Sequence, residues 1–89
     1  MAQLLFSEQA DEMLTALESD ATRRELVGRL HQELDQLEAD PGASACRRRR
    51  YSNIGVWGIP VNSQGEEWLI LWEPDERNAV VVYAITPAP

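Results

Sequence analysis

The chain has 89 residues, with eight arginines, no lysine, one histidine and 15 acidic residues, for a net charge of −7. Hydrophobic residues make up 44%, too many for a disordered polyampholyte and enough for one small domain. A single cysteine, Cys46, excludes an internal disulfide framework, and one Cys with one His is too few for a structural zinc site without acidic ligands or a second chain.

The longest apolar runs, from Trp68 to Trp72 and from Ala79 to Ile85, fall far short of the roughly 20 residues that span a bilayer. The start, Met1 to Phe6, has no basic segment and only a brief apolar stretch, so no signal peptide is read there. The expectation is one cytoplasmic domain over residues 1–89, with no membrane contact, no metal and no cofactor. Charge is unevenly spread. Residues 1–46 hold three arginines against ten acidic residues, a balance of −7, whereas residues 47–89 hold five against five, a balance of 0. Polyanion binding usually needs a basic face, so RNA or DNA starts at a disadvantage as a partner. The exception is the island Arg47, Arg48, Arg49 and Arg50 at the boundary between the halves.

In chain order, Gln3 to Phe6 reads as a short first strand. Ser7 follows as a helix N-cap, with Glu8 and Asp11 well placed in the first turn. Ala10, Met13, Leu14 and Leu17 fall at helical spacing, and this helix should end near Ser19. Thr22 and Glu25 have the spacing of a capping box. A second helix then runs to about Ala39, with Leu26, Val27, Leu30, Leu34 and Leu37 as its apolar stripe, and Asp40-Pro41-Gly42 stops it. The short link between the helices predicts an antiparallel hairpin. The remainder reads as β: a strand from Val56 to Val61, a turn at Asn62 to Gly65, a strand from Glu67 to Glu73, a turn at Pro74 to Asn78 and a strand from Ala79 to Thr86. Arg47 to Tyr51 is a further extended candidate at the sheet margin. The expected class is α+β, a helical hairpin packed on one face of an antiparallel sheet.

Strand side chains alternate between faces. Trp68, Ile70 and Trp72 should point one way and Leu69 and Leu71 the other. On the last strand Val80 and Val82 should oppose Val81, Tyr83 and Ile85. A sheet covered on one face usually shows a polar second face. Here both faces are apolar at the centre, so the second is either covered or an interface.

This order of elements resembles the RelE/ParE superfamily of toxins from bacterial type II toxin–antitoxin modules. The residues that carry the resemblance are Leu5-Phe6-Ser7 with Ala10, Leu14 and Leu17, then Leu34, Leu37, Asp40 and Pro41. After them come Gly55 to Val61, Glu67 to Glu73 and Ala79 to Ile85. The resemblance covers nearly the whole chain and rests on pattern rather than on an invariant motif. It implies a compact toxin held silent by a cognate antitoxin that wraps around it. RelE-like members cut messenger RNA on the ribosome, and ParE-like members poison DNA gyrase.

The catalytic residues of the ribonuclease members do not carry over. Their basic residues fall at positions that look like Gly58 and Pro60, and an arginine falls at a position that looks like Leu69. Their basic or aromatic C-terminal segment is matched here by Thr86-Pro-Ala-Pro89. RNA cleavage needs a group to deprotonate the 2′-hydroxyl and cations to hold the developing phosphorane charge. Gly58, Pro60 and Leu69 supply neither. Gly58, Pro60, Leu69 and Leu71 are expected on one open face that binds protein, with Pro60 marking an edge or a bulge because it has no N–H to donate. A free edge nearby could accept a strand from a partner.

Other features have structural readings beside functional ones. Arg47 to Arg50 is either a phosphate-, target- or partner-binding patch or a solvated segment that offsets the acidic helices. His31 flanks the apolar stripe with no triad or metal partner near it in sequence. Cys46 precedes the arginines, whose charge could lower its pKa, but it lacks a His partner. Ser7 reads as a cap rather than a nucleophile. Trp57, Trp68, Trp72 and Tyr83 read as core, with base stacking as the sharper option. Glu8/Glu12 and Asp35/Glu38 read as solvated helix faces. Gly28, inside the second helix, is expected where the first helix or a partner approaches closely.

Three functions stay open. One is a toxin that acts by binding a protein target and is neutralised by an antitoxin. Another is a non-toxic interaction module on the same fold, in which the apolar face also forms a homodimer. The last is a ribosome-dependent ribonuclease using Arg47 to Arg50 with Tyr51.

Overall fold

The computed structural model describes residues 2–75 and 79–89. Nine elements follow in order: β1 (Gln3–Phe6), α1 (Glu8–Glu18), a 3-10 turn (Ala21–Arg23), α2 (Arg24–Ala39), a second 3-10 turn (Ser44–Cys46), β2 (Arg49–Tyr51), β3 (Val56–Ser63), β4 (Glu66–Pro74) and β5 (Ala79–Pro87). The class is α+β, with the two helices beside a five-stranded sheet of order β1-β5-β4-β3-β2. The C-terminal strands pair antiparallel as expected. The sheet as a whole is mixed, because β1 joins it parallel to β5. The long connection that a parallel pairing requires is everything between β1 and β5: the helical hairpin carries the chain to β2 at the far edge, and β3 and β4 bring it back to β5.

The helix layer forms for the reasons the sequence gives. Leu26, Leu30, Leu34 and Leu37 of α2 and Ala10 and Leu17 of α1 are buried with Ile59, Val61, Trp68, Ile70, Trp72, Val80, Val82 and Ile85 from the sheet. Ser7 caps α1 by accepting from the Ala10 N–H at 3.1 Å. The capping box does not form. Asp20 instead caps the 3-10 turn that leads into α2, accepting from the Thr22 N–H at 2.9 Å and from its hydroxyl at 2.7 Å, and α2 itself starts after Arg23 without a side-chain cap. These bonds hold the Asp20 carboxyl below its usual range. Thr22 is thereby spent as a donor, and Glu25 pairs with Arg29 one turn on.

Two turns are set by local chemistry. Ser63 opposes Glu66, and the two residues between them, Gln64 (φ 53°) and Gly65 (φ 79°), both lie in the left-handed region. That is the two-residue hairpin whose twist suits antiparallel strands. The turn expected at Pro74 to Asn78 falls partly outside the described residues; Pro74 itself ends β4.

The faces of β4 match expectation, but β5 departs from simple alternation. Leu71 opposes Ala84 and Trp72 opposes Val82, so Tyr83 is the extra residue of a bulge. Ile85 therefore faces the helices with Val80 and Val82, and Tyr83, expected in the core, is exposed. The bulge sits where β1 ends. Ser7 donates its hydroxyl to the Tyr83 carbonyl at 2.6 Å and its N–H to the Val82 carbonyl at 3.0 Å. The Gln9 side-chain amide then exchanges two hydrogen bonds with the Ile85 backbone, each 3.2 Å, in place of a neighbouring strand.

Candidate functional site: the second sheet face and its arginine margin

The face away from the helices is built by three strands in register. Arg49 and Tyr51 of β2 oppose Gly58 and Val56 of β3; Gly58 and Pro60 oppose Leu71 and Leu69 of β4. Gly58, Pro60, Leu69 and Leu71 therefore share one face, with Arg49 and Tyr51 beside them. Pro60 lies where β3 has run past the end of β2, on a stretch paired only with β4, which suits a residue without an N–H.

This face is not open along its whole width. Gly58, Pro60 and Leu69 are buried within the chain, and Leu71 is half-buried. The Tyr51 ring lies over Gly58, so close that a Cβ there would sit 2.8 Å from Tyr51 Cε2 and 3.4 Å from Leu71 Cδ2. Arg49 reaches from the position opposite Gly58 to an ion pair with Glu67, opposite Asn62, and so bridges the strand beside Pro60. Glu67 first, and Tyr51 after it, hold the Arg49 guanidinium charged beyond its ordinary range. The accessible part of the face is on the β4–β5 side, where Leu71, Val81 and Ala84 are half-buried and Tyr83 is 46% exposed, with Glu73 opposite Val81 and Thr86 opposite Leu69 as half-buried polar neighbours.

The four arginines diverge, as alternation in an extended segment requires. Arg50 lies on the helix side with its guanidinium 4.9 Å from the Trp57 ring centre. Arg47 lies 5.4 Å from the same ring and 5.7 Å from that of Trp72, and its Nε donates to the Pro41 carbonyl at 3.1 Å. Only Arg49 joins the second face, and Arg48 is exposed with no partner among the described residues. Trp68 and Trp72 are core residues and Trp57 packs against the core. Trp72 Nε1 donates to the Cys46 carbonyl at 2.7 Å.

The remaining candidates separate from this face. Cys46 is fully buried, and burial pushes its thiol up, with Glu33 and Asp40 adding to the effect. This reverses the expectation that the arginines would lower it; Arg47 opposes the shift but is outweighed. His31 sits on the exposed side of α2, its Nε2 3.0 Å from Glu18. Gly28 is exposed, and an added Cβ would meet nothing within 4 Å, so the first helix makes no close approach there. Among the described residues no group of His, Cys, Asp and Glu could hold a metal ion, and no helix is long and apolar enough to cross a membrane.

Glu67 is a polar member of the face that sequence reasoning passed over. Its signal was parity: residues 67, 69 and 71 alternate onto one side of β4. Its partner on β2 was hidden, because that contact depends on the register across three strands. Comparison of the chain with known protein families, with curated proteins and with solved structures finds no match.

Proposed function

We propose that this chain is the toxin component of a bacterial type II toxin–antitoxin module. On this reading it acts by binding a protein target through the second sheet face and is neutralised by a cognate antitoxin. The layering supports the reading: a first strand, a helical hairpin on one sheet face and a β meander are what the RelE/ParE resemblance implies. The observation that carries the mode of action is the chemistry of the face. Gly58, Pro60, Leu69 and Leu71 give it an apolar floor, and its accessible side is Leu71, Val81, Ala84 and Tyr83, with Glu73 and Thr86 at its rim. Apolar, aromatic surface with a polar rim suits a protein partner better than a phosphate backbone.

A second reading, ribosome-dependent RNA cleavage, has one specific observation in its favour. Arg49, Tyr51 and Glu67 form a cation, a phenol and a carboxylate side by side on this face. These are the group types that general acid–base catalysis on a phosphodiester needs. In the free chain Glu67 neutralises Arg49, so an incoming phosphate would have to displace it.

The test is growth after tightly controlled expression of the chain alone in a bacterial host. The expected result is arrest that is lost in Leu71→Asp and kept in Tyr51→Phe and Glu67→Gln. Arrest lost in Tyr51→Phe and Glu67→Gln, together with new messenger RNA ends, would move the assignment to cleavage. Unimpaired growth with soluble, folded chain would set the toxin reading aside in favour of a non-toxic interaction module.

A further inference from the structure

The sheet ends differently on its two sides. The β2 margin carries Arg49 and Arg50, with Arg48 just before them, and the stretch of β3 beyond it carries Pro60. Charge and proline are the devices that blunt an edge against an incoming strand. The other margin is β1, Gln3-Leu4-Leu5-Phe6, with no charge, no proline and no bulge in its register with β5. Its far edge has no strand partner among the described residues. Leu5 is 39% and Phe6 38% exposed, two large apolar side chains on a four-residue strand.

We infer that β1 pairs with β1 of a second copy of this chain, antiparallel, joining the two sheets into one. Symmetry and the residues agree on how. A two-fold axis between antiparallel edge strands stands normal to the sheet, so each residue must oppose one that points to the same face. Leu4 packs against the helix-side core, so Leu5 points to the second face. Centring the axis on Leu5 sets the two Leu5 side chains against each other on the second face. It also sets each Phe6 against the partner's Leu4 on the helix side. Both exposed apolar residues are covered by one register.

Charge selects this edge over the helix layer and over the arginine margin. The acidic helices of two copies repel, whereas β1 brings no charge to the seam. α1 carries Glu8, Asp11, Glu12 and Glu18 with no basic residue, and it packs mainly over β5. In the paired sheet the two β5 strands are three strand spacings apart, about 14 Å. That exceeds the Debye length of about 8 Å at physiological salt. Residual repulsion makes the dimer tighten with added salt. A four-residue seam is small for a permanent interface, so dimerisation is concentration-dependent. The inference does not depend on the toxin reading.

The test is sedimentation equilibrium over a wide concentration range at low and high salt. The expected result is a monomer–dimer equilibrium that strengthens with salt. Leu5→Lys, which opposes two like charges across the axis, weakens it roughly tenfold or more. Arg48→Glu, at the opposite margin, leaves it in place. Amide exchange in the native chain gives a second readout that no variant can confound, with β1 N–H groups slowing as concentration rises. A monomer at all concentrations and salts overturns the inference and leaves the edge to a strand from a different chain. So does a dimer indifferent to Leu5→Lys, or one lost in Arg48→Glu.

Discussion

Both faces of the sheet are apolar at the centre, yet they are closed in different ways. On the helix side Trp68, Ile70 and Trp72 are covered by another layer, the leucine stripe of α2 and the buried side of α1. On the second face the covering is local. One tyrosine ring lies on a glycine and one ion pair spans a strand, and both come from the β2 margin and β4. Closure by a layer is tied to the cooperative fold. Closure by a margin strand needs only three residues to move. An alternating apolar strand thus says that both its sides are shielded from water, but not by what, and the two kinds of shielding leave different surfaces free to bind.

The largest expected effect breaks the helix-side closure. Trp72→Ala removes a fully buried indole and leaves the Cys46 carbonyl without its donor. It should cost about 3–5 kcal/mol, much of a small domain's stability. Leu71→Ala, one residue along the same strand but half-buried on the other face, should cost about 1 kcal/mol. Urea denaturation of the pair measures the contrast. Equal losses would mean that the second face is packed as tightly as the first.

Gly58→Ala probes the local closure. Its Cβ would stand 2.8 Å from Tyr51 Cε2, so the ring must turn away or the strands must shift. Overpacking of this kind costs about 1–3 kcal/mol. The source of the cost is separable by a double-mutant cycle: with Tyr51→Ala already in place, Gly58→Ala should be nearly neutral. A cost that survives the loss of the ring would point to the strand backbone and would remove Tyr51 as the cover of this face.

Much of this architecture is legible in the sequence because its causes are local. The leucine spacing of α2, the Ser7 cap, the Gln64-Gly65 turn and the parity of Trp68, Ile70 and Trp72 each depend on residues within a few positions of one another. What was not legible depends on distant partners. The Tyr83 bulge is held by Ser7 and Gln9, more than 70 residues earlier, and nothing within β5 marks it. The parallel entry of β1 depends on where the helical hairpin and the strands after it return the chain. At the candidate face, parity brought Gly58, Pro60, Leu69 and Leu71 together correctly. The cover over them came from Arg49, Tyr51 and Glu67, whose meeting needs three strands in register. Thr22 fails as a cap for a smaller reason: Asp20, two residues earlier, captures its hydroxyl and caps a 3-10 turn in front of α2.

The smallest expected effect sharpens the comparison by applying one substitution to two glycines. At Gly28, on the exposed side of α2, an added Cβ meets nothing within 4 Å. Gly28→Ala there gains helix propensity and loses no contact, so it should stabilise the chain by about 0.5–1 kcal/mol. At Gly58 the same methyl group should destabilise. Opposite signs are what a helix layer that is outermost, lying over a sheet whose second face is locally roofed, requires. In a thermal melt the Gly28 gain should read as a midpoint raised by several degrees. A lowered midpoint would mean that the outward side of α2 is already in contact with something. Two copies would then meet through the helices, acidic as they are, and the second face would no longer be the surface that distinguishes this molecule.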